Sequence, residues 1–320
     1  MARRCFCHSE SFFSVPWQHG YCCRQGIHSH ERYALIMGEF IQFMVLPLCA
    51  CLIIIIVLGY LGIHVLQREI IFIDIALAQI AVLGSIIGLV LLHAEHNSIL
   101  AHACAIGATV LAAGLYSVVQ RKTVHISLET VIGITYALAA AAALFIIGLR
   151  AEGHVHVHHM LSGSLLWVQW KDLLCCGAVA LATGLVFFVF RGKFQELSES
   201  HARREKRGKN TVMWDFLCYV LMGIVITFFV RIAGVLVVFS FLIIPAAISA
   251  MFSERAGIRW VIALAVGTPA SVAGLLLSYH LDFSIGPSVV SFLGIGLVTA
   301  GIVKSLARWR LMLMKRHTEE

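Results

Sequence analysis

Two groups of side chains in this chain have the types needed to meet a metal cation. The tighter group is Gly153-His-Val-His-Val-His-His159, in which His154, His156, His158 and His159 stand close together. On a strand, 154, 156 and 158 would share one face; on a helix, 154 and 158 would. Either conformation brings two imidazoles together, and imidazole suits divalent transition metals near neutral pH. The alternative is a solvated loop that happens to be rich in histidine. The second group lies in an apolar block, Asp74-Ile-Ala-Leu-Ala-Gln79-Ile-Ala-Val-Leu-Gly84. A charge in such a block is costly and by default marks a pathway. Asp74 and Gln79 are five residues apart and so point about 140° apart around a regular helix. They share a face only if the helix is unwound or bulged. Ala76, Ala78, Ala81, Gly84 and Gly88 keep this stretch slim enough for close helix packing, so a packed interior with a satisfied aspartate is the competing reading. Glu129 opens a later apolar block, where an acid simply favours the helix dipole.

The elements that must position these groups are membrane helices. Apolar residues make up 60% of the 320, charged residues only 13%, and the mean hydropathy is +0.90, far from a soluble composition. Charge-poor windows run over 40–67, 70–92, 98–120, 130–149, 173–190, 216–230, 232–253, 260–281 and 283–303. Crossing a bilayer core takes roughly 20 helical residues, and no window alternates as a barrel strand does. The fold class is therefore all-α, a multi-pass integral membrane protein of about nine transmembrane helices, or eight if the pair flanking Arg231 is one broken helix. Seventeen Lys and Arg fall on one side of this map and Arg150, Lys171 and Arg231 on the other. Cytoplasmic loops hold the basic excess, so the first span begins outside and the C-terminus is cytoplasmic, in an inner (plasma) membrane.

The first 36 residues disagree with that orientation, because Arg3, Arg4, Arg24 and Arg32 would sit outside. Their Cys5, Cys7, Cys22 and Cys23 beside four histidines suit zinc but match no closed tetrahedral spacing. The expectation is an uncertain extension over 1–36 with Met37 as initiator, a transmembrane domain over 37–310 and a charged cytoplasmic tail over 311–320. The other six cysteines lie inside spans and imply no disulfides.

Several stretches carry a family resemblance: Leu66-Gln-Arg-Glu-Ile-Ile-Phe-Ile-Asp74 with its continuation to Gly84, Glu129-Thr-Val-Ile-Gly133, Met160-Leu-Ser-Gly-Ser-Leu-Leu-Trp167, Gly234-Val-Leu-Val-Val-Phe-Ser-Phe-Leu-Ile-Ile-Pro-Ala-Ala247, and Ser278-Tyr-His-Leu-Asp282 with Gly286-Pro287. From about Met37 to about Lys304 the chain resembles the ABC-3 permeases, the membrane subunits of zinc, manganese and iron importers. One departure stands out. Span two of that family usually reads Gly-Asp-Ala-Leu-Ser-His, whereas here Gln79 occupies the histidine position and Asp74 is displaced by one.

The resemblance implies a permease that carries a divalent transition metal (zinc, manganese or ferrous iron) or its chelate, with Asp74 and Gln79 on the path. It implies three kinds of partner: a cytoplasmic ATPase subunit that binds the ATP, an extracytoplasmic metal-binding protein, and a second permease copy. The segment from Pro245 and Ala246 to Gly257, with Glu254 and Arg255, resembles the family's ATPase-coupling helix; the basic run Arg191–Lys209 is the competing docking surface, although such runs are more often solvated loops. The sequence has no phosphate-binding Gly-x4-Gly-Lys-Ser/Thr loop, so the expectation is no ATPase site, no cofactor on this chain and no nucleic-acid partner. A secondary transporter, a channel or a membrane metalloenzyme remain the alternatives. Against these stand the lack of a His-Glu-x-x-His helix and of a recognisable internal repeat.

Overall fold

The computed structural model describes residues 29–91, 99–122, 126–148, 165, 168–202 and 209–317. The chain divides into two units, 1–43 and 44–320. In the first, the described backbone, 29–43, is helical. Among the described residues there are ten helices: α1 (Ser29–Gln67), α2 (Ile73–Leu91), α3 (Ile99–Lys122), α4 (Leu128–Gly148), α5 (Trp170–Val189), α6 (Arg191–Ala202), α7 (Lys209–Ala233), α8 (Val235–Phe252), α9 (Ala256–Leu281) and α10 (Ile285–His317). All but α6 are long and apolar enough to cross a membrane, α1 from Met44 onward. On the orientation expected from the basic excess, the C-terminal ends of α1, α3, α5, α8 and α10 are the inner ends.

The pair flanking Arg231 is two helices, as the nine-span reading has it. Gly234 separates them with φ at 83°, a left-handed conformation that glycine adopts without a Cβ penalty. The α7 span reaches back to Thr211, further than a charge-free window allows, because Asp215 lies inside it and is buried.

Membrane helices gain little from leaving lipid for protein, so close approach of small residues must hold them together. Helix α2 packs on α3, α4 and α7, while α8, α9 and α10 pack on one another. At the α2–α3 crossing a Cβ on Gly84 would stand 2.6 Å from the Cys104 carbonyl oxygen, and at the α9–α10 crossing a Cβ on Gly274 would stand 2.5 Å from the Val289 Cα. Helix α1 packs on the second group. Gly62 abuts the Leu242 carbonyl on α8, and Ile55 fills the space left by Gly267 on α9.

Backbone cannot yield as a side-chain tip can, which sets up a sharp contrast. Gly62→Leu is expected to cost more than the roughly 1–3 kcal/mol of ordinary overpacking and to cut the monodisperse fraction in detergent severalfold. Gly133→Leu, where an added Cβ meets nothing within 4 Å, should leave it unchanged. Size-exclusion profiles of the two variants check this; equal profiles would mean the α1–α8 contact is not tight.

Candidate functional site

Helix α2 starts directly after the α1–α2 turn at 68–72, so Asp74 falls in its first turn. Asp74 is 2% exposed. One carboxylate oxygen accepts the Ile75 backbone N–H at 2.7 Å, and the residue makes no ion pair among the described residues. The helix is continuous from Ile73 to Leu91, with no bulge to bring Gln79 round. Asp74 and the half-buried Gln79 therefore stay on different faces, as the period demands. A carboxylate buried at the inner end of a span, with no ion-pair partner among the described residues, is a group to which a passing cation would be attracted.

His154, His156, His158 and His159 lie outside the described residues. Among the described residues, no group of three or more His, Cys, Asp or Glu could hold a metal. At the outer end, His102 of α3 contacts Arg231 at the end of α7.

The α8–α9 link places the proposed coupling residues in two settings. Pro245 and Ala246 are buried within α8, which continues to Phe252. Glu254 and Arg255 are exposed in the three-residue link that follows. Ser253 holds this link in shape: its hydroxyl accepts the Arg255 N–H at 3.2 Å and its carbonyl accepts Arg259 Nε at 3.0 Å. The surface available for docking is thus the link and the exposed Gly257 and Ile258 of the first turn of α9.

Sequence reasoning missed a buried polar network at the inner ends of α1, α3, α6 and α7. Arg68 donates to Asp215 at 3.1 Å, with both side chains 1–2% exposed, and to Ser198 Oγ at 3.3 Å. His64 Nδ1 lies 2.9 Å from the same oxygen. The Ser198 hydroxyl hydrogen goes to the Phe194 carbonyl at 2.9 Å, so Ser198 accepts from both neighbours and the His64 proton resides on Nδ1. The guanidinium lies 5.9 Å from the centre of the Tyr219 ring, whose hydroxyl donates to Gln120 at 2.8 Å. The His64 and Phe187 rings stack at 6.0 Å.

That network changes the reading of the 191–209 stretch. Its first twelve residues are helix α6, and Phe194, Leu197 and Ser198 make one buried face at the i, i+3, i+4 spacing of an amphipathic helix. Phe194 packs on Phe187 at 4.4 Å and edge-on to Trp214 at 5.8 Å. Arg191, Lys193 and Glu196 face out, the latter two paired at 3.3 Å. The charged half of the helix dominates the composition, and the three buried residues decide where it lies. The signal available beforehand was His64 and Asp215, two polar residues in or beside apolar blocks.

Comparison with known proteins places the fold. The profile of the ABC 3 transport family matches residues 40–304. The High-affinity zinc uptake system membrane protein ZnuB of Haemophilus influenzae is 25% identical over 232 residues, 72% of this chain and 85% of that protein. The Manganese import system permease protein ScaB of Streptococcus parasanguinis is 25% identical over 162 residues, 51% of this chain and 58% of that protein. With this and similar relatives the chain spans somewhat more than half of their length. The solved structure titled PsaBC from Streptococcus pneumoniae in complex with Fab superposes with a TM-score of 0.67 at 21% identity, covering 83% of this chain and 95% of that one. A helical bundle with the same arrangement and a family profile spanning nearly all of the membrane region lead to one conclusion: this chain is a multi-pass inner-membrane protein and belongs to the ABC 3 transport family.

Proposed function

We propose that this chain is the membrane-spanning permease subunit of an ATP-driven importer for a divalent transition metal (zinc, manganese or ferrous iron) or its chelate. The observation that carries this reading is the family match over 40–304, which takes in all but the last few residues of the nine spans. Two permease copies flank the pathway, an external binding protein delivers the metal, and a separate ATPase subunit on the cytoplasmic face drives the change between outward and inward states. Asp74 is the pathway acid and Gln79 a weaker, neutral donor on a neighbouring face. Histidines 154, 156, 158 and 159 form an outer capture site.

Docking of the ATPase at the α8–α9 link rests on the resemblance of this segment to the family's coupling helix, and the exposure of the link and its Ser253 contacts support it. Arg255→Glu is therefore expected to weaken co-purification of the ATPase subunit severalfold and to lower transport in step, with the membrane domain still folded. Retained docking and transport would move the contact to α6 and the basic residues that follow it. Pro245→Ala, inside buried helix, should act through folding of α8 and not through docking alone.

Changing His154, His156, His158 and His159 together to Ala should raise the metal concentration for half-maximal uptake severalfold and leave the maximal rate largely intact, as expected of a capture site outside the barrier. Uptake kinetics with radioactive zinc and manganese measure both quantities; a collapse of the maximal rate would put the loop on the pathway itself. A secondary carrier is the other class to test, and its uptake would follow an ion gradient with no ATPase subunit present.

A further inference from the structure

Between α1, α5, α6 and α9 lies a groove of about 480 Å³, lined by none of the residues proposed for the metal path. Its walls are apolar along most of their length, with Ile56 of α1 and Leu181 and Phe187 of α5 among the lining side chains. Its polar lining side chains are Tyr60 of α1, Arg191 and Gln195 of α6, and Trp260 in the second turn of α9. The Trp260 indole donates to the Ile56 carbonyl at 3.0 Å, fixing the ring against the α1 wall. The Arg191 guanidinium rests 5.6 Å from the centre of the Phe188 ring and forms no ion pair among the described residues. Arg191 is two residues beyond the end of the α5 span, on the side where the basic excess places the cytoplasm.

We propose that this groove holds an acyl chain of an anionic phospholipid of the cytoplasmic leaflet, with the headgroup phosphate at Arg191. Two observations select that occupant. The groove runs along membrane-spanning segments, where an apolar channel of this size takes hydrocarbon and not water. Its one arginine pairs with no carboxylate among the described residues and stands two residues beyond the α5 span, at the depth of the anionic headgroups, which attract basic side chains there. Ala256 and Gly257 also line the groove, so the bound lipid would touch the first turn of α9 next to the exposed Arg255.

The test uses the full chain in nanodiscs of equal phosphatidylglycerol and phosphatidylcholine, followed by mass spectrometry of the lipids retained on detergent extraction. Phosphatidylglycerol should be retained about fivefold over phosphatidylcholine, the factor one interfacial cation supplies. Arg191→Gln should erase the preference and Arg191→Lys keep most of it, so a fold defect at this position is separable from loss of charge. Gly184→Leu, where an added Cβ meets nothing within 4 Å, should fill the groove and lower retention of both lipids. Brominated phosphatidylglycerol should quench fluorescence more than its phosphatidylcholine counterpart, and Trp260→Phe should remove that excess. Equal retention of the two lipids, or an unchanged preference in Arg191→Gln, would overturn the proposal. So would a disulfide between two copies carrying Leu181→Cys in intact vesicles, because a second copy would then close the groove.

Discussion

Asp215→Asn should release α6 from the bundle and destabilise the protein by about 3–5 kcal/mol, the cost of leaving one member of a buried ion pair without its partner. The Arg68 side chain is 1% exposed and has no water to turn to. Total stabilities are roughly 5–15 kcal/mol, so this one substitution removes a large share. Arg68→Met strips the opposite partner and should cost a similar amount by leaving Asp215 and the Ser198 oxygen short of a donor. The double variant Arg68→Met with Asp215→Leu replaces the pair by apolar groups of similar volume, and such exchanges are often neutral. It should be more stable than either single variant, a coupling of the sign and size that double-mutant cycles detect between residues in contact. Ser198→Ala, which removes one shared acceptor, should cost about 1 kcal/mol. Thermal unfolding in detergent ranks the four; an Asp215→Asn variant that melts with the parent would mean the network does not hold α6.

Asp74→Asn should lower transport at least about tenfold, as loss of a group tuning a metal site does, with expression unchanged. An ionised carboxylate in a span costs roughly 2.5–3.5 kcal/mol on insertion scales, a cost that packing alone does not require. Asparagine keeps the size and the hydrogen-bonding capacity at a site that is 2% exposed and removes only the charge that a divalent cation needs. The variant should therefore be as stable as the parent, or more so, while moving little metal. Gln79→His, which puts an imidazole at the histidine position of the family pattern, should shift preference toward zinc. Normal transport by Asp74→Asn together with a dead four-histidine variant would reverse the assignment and route the metal through the 154–159 loop.

The spans were legible because bilayer crossing is a one-dimensional property: about 20 apolar residues in a row. The angle between Asp74 and Gln79 was legible for the same reason, since helical period fixes it without reference to any other element. Arg68 was readable only as one more inner-face cation. Its partner stands 147 residues away, and charge patterning carries no record of such a pairing. Helix α6 misled for a related reason. Seven basic residues between 191 and 209 outweigh Phe194 and Leu197 in any composition, although those two buried side chains and Ser198 dock the helix. At the α7–α8 junction the glycine that makes the turn was visible, but Asp215 hid how far α7 extends, because a buried acid with an arginine partner is tolerated where an unpaired one is not.

Metal accumulation in cells that co-express this chain with the proposed ATPase subunit and binding protein tests the transport reading most directly. Radioactive zinc, manganese and ferrous iron should each be offered with and without ATP depletion, and with a protonophore as a separate arm. The account predicts that at least one metal accumulates only with all three proteins present, that ATP depletion abolishes the accumulation, and that the protonophore leaves it intact while ATP is maintained. Accumulation that persists without ATP or without the ATPase subunit, or that collapses with the proton gradient alone, would contradict it and identify a secondary carrier.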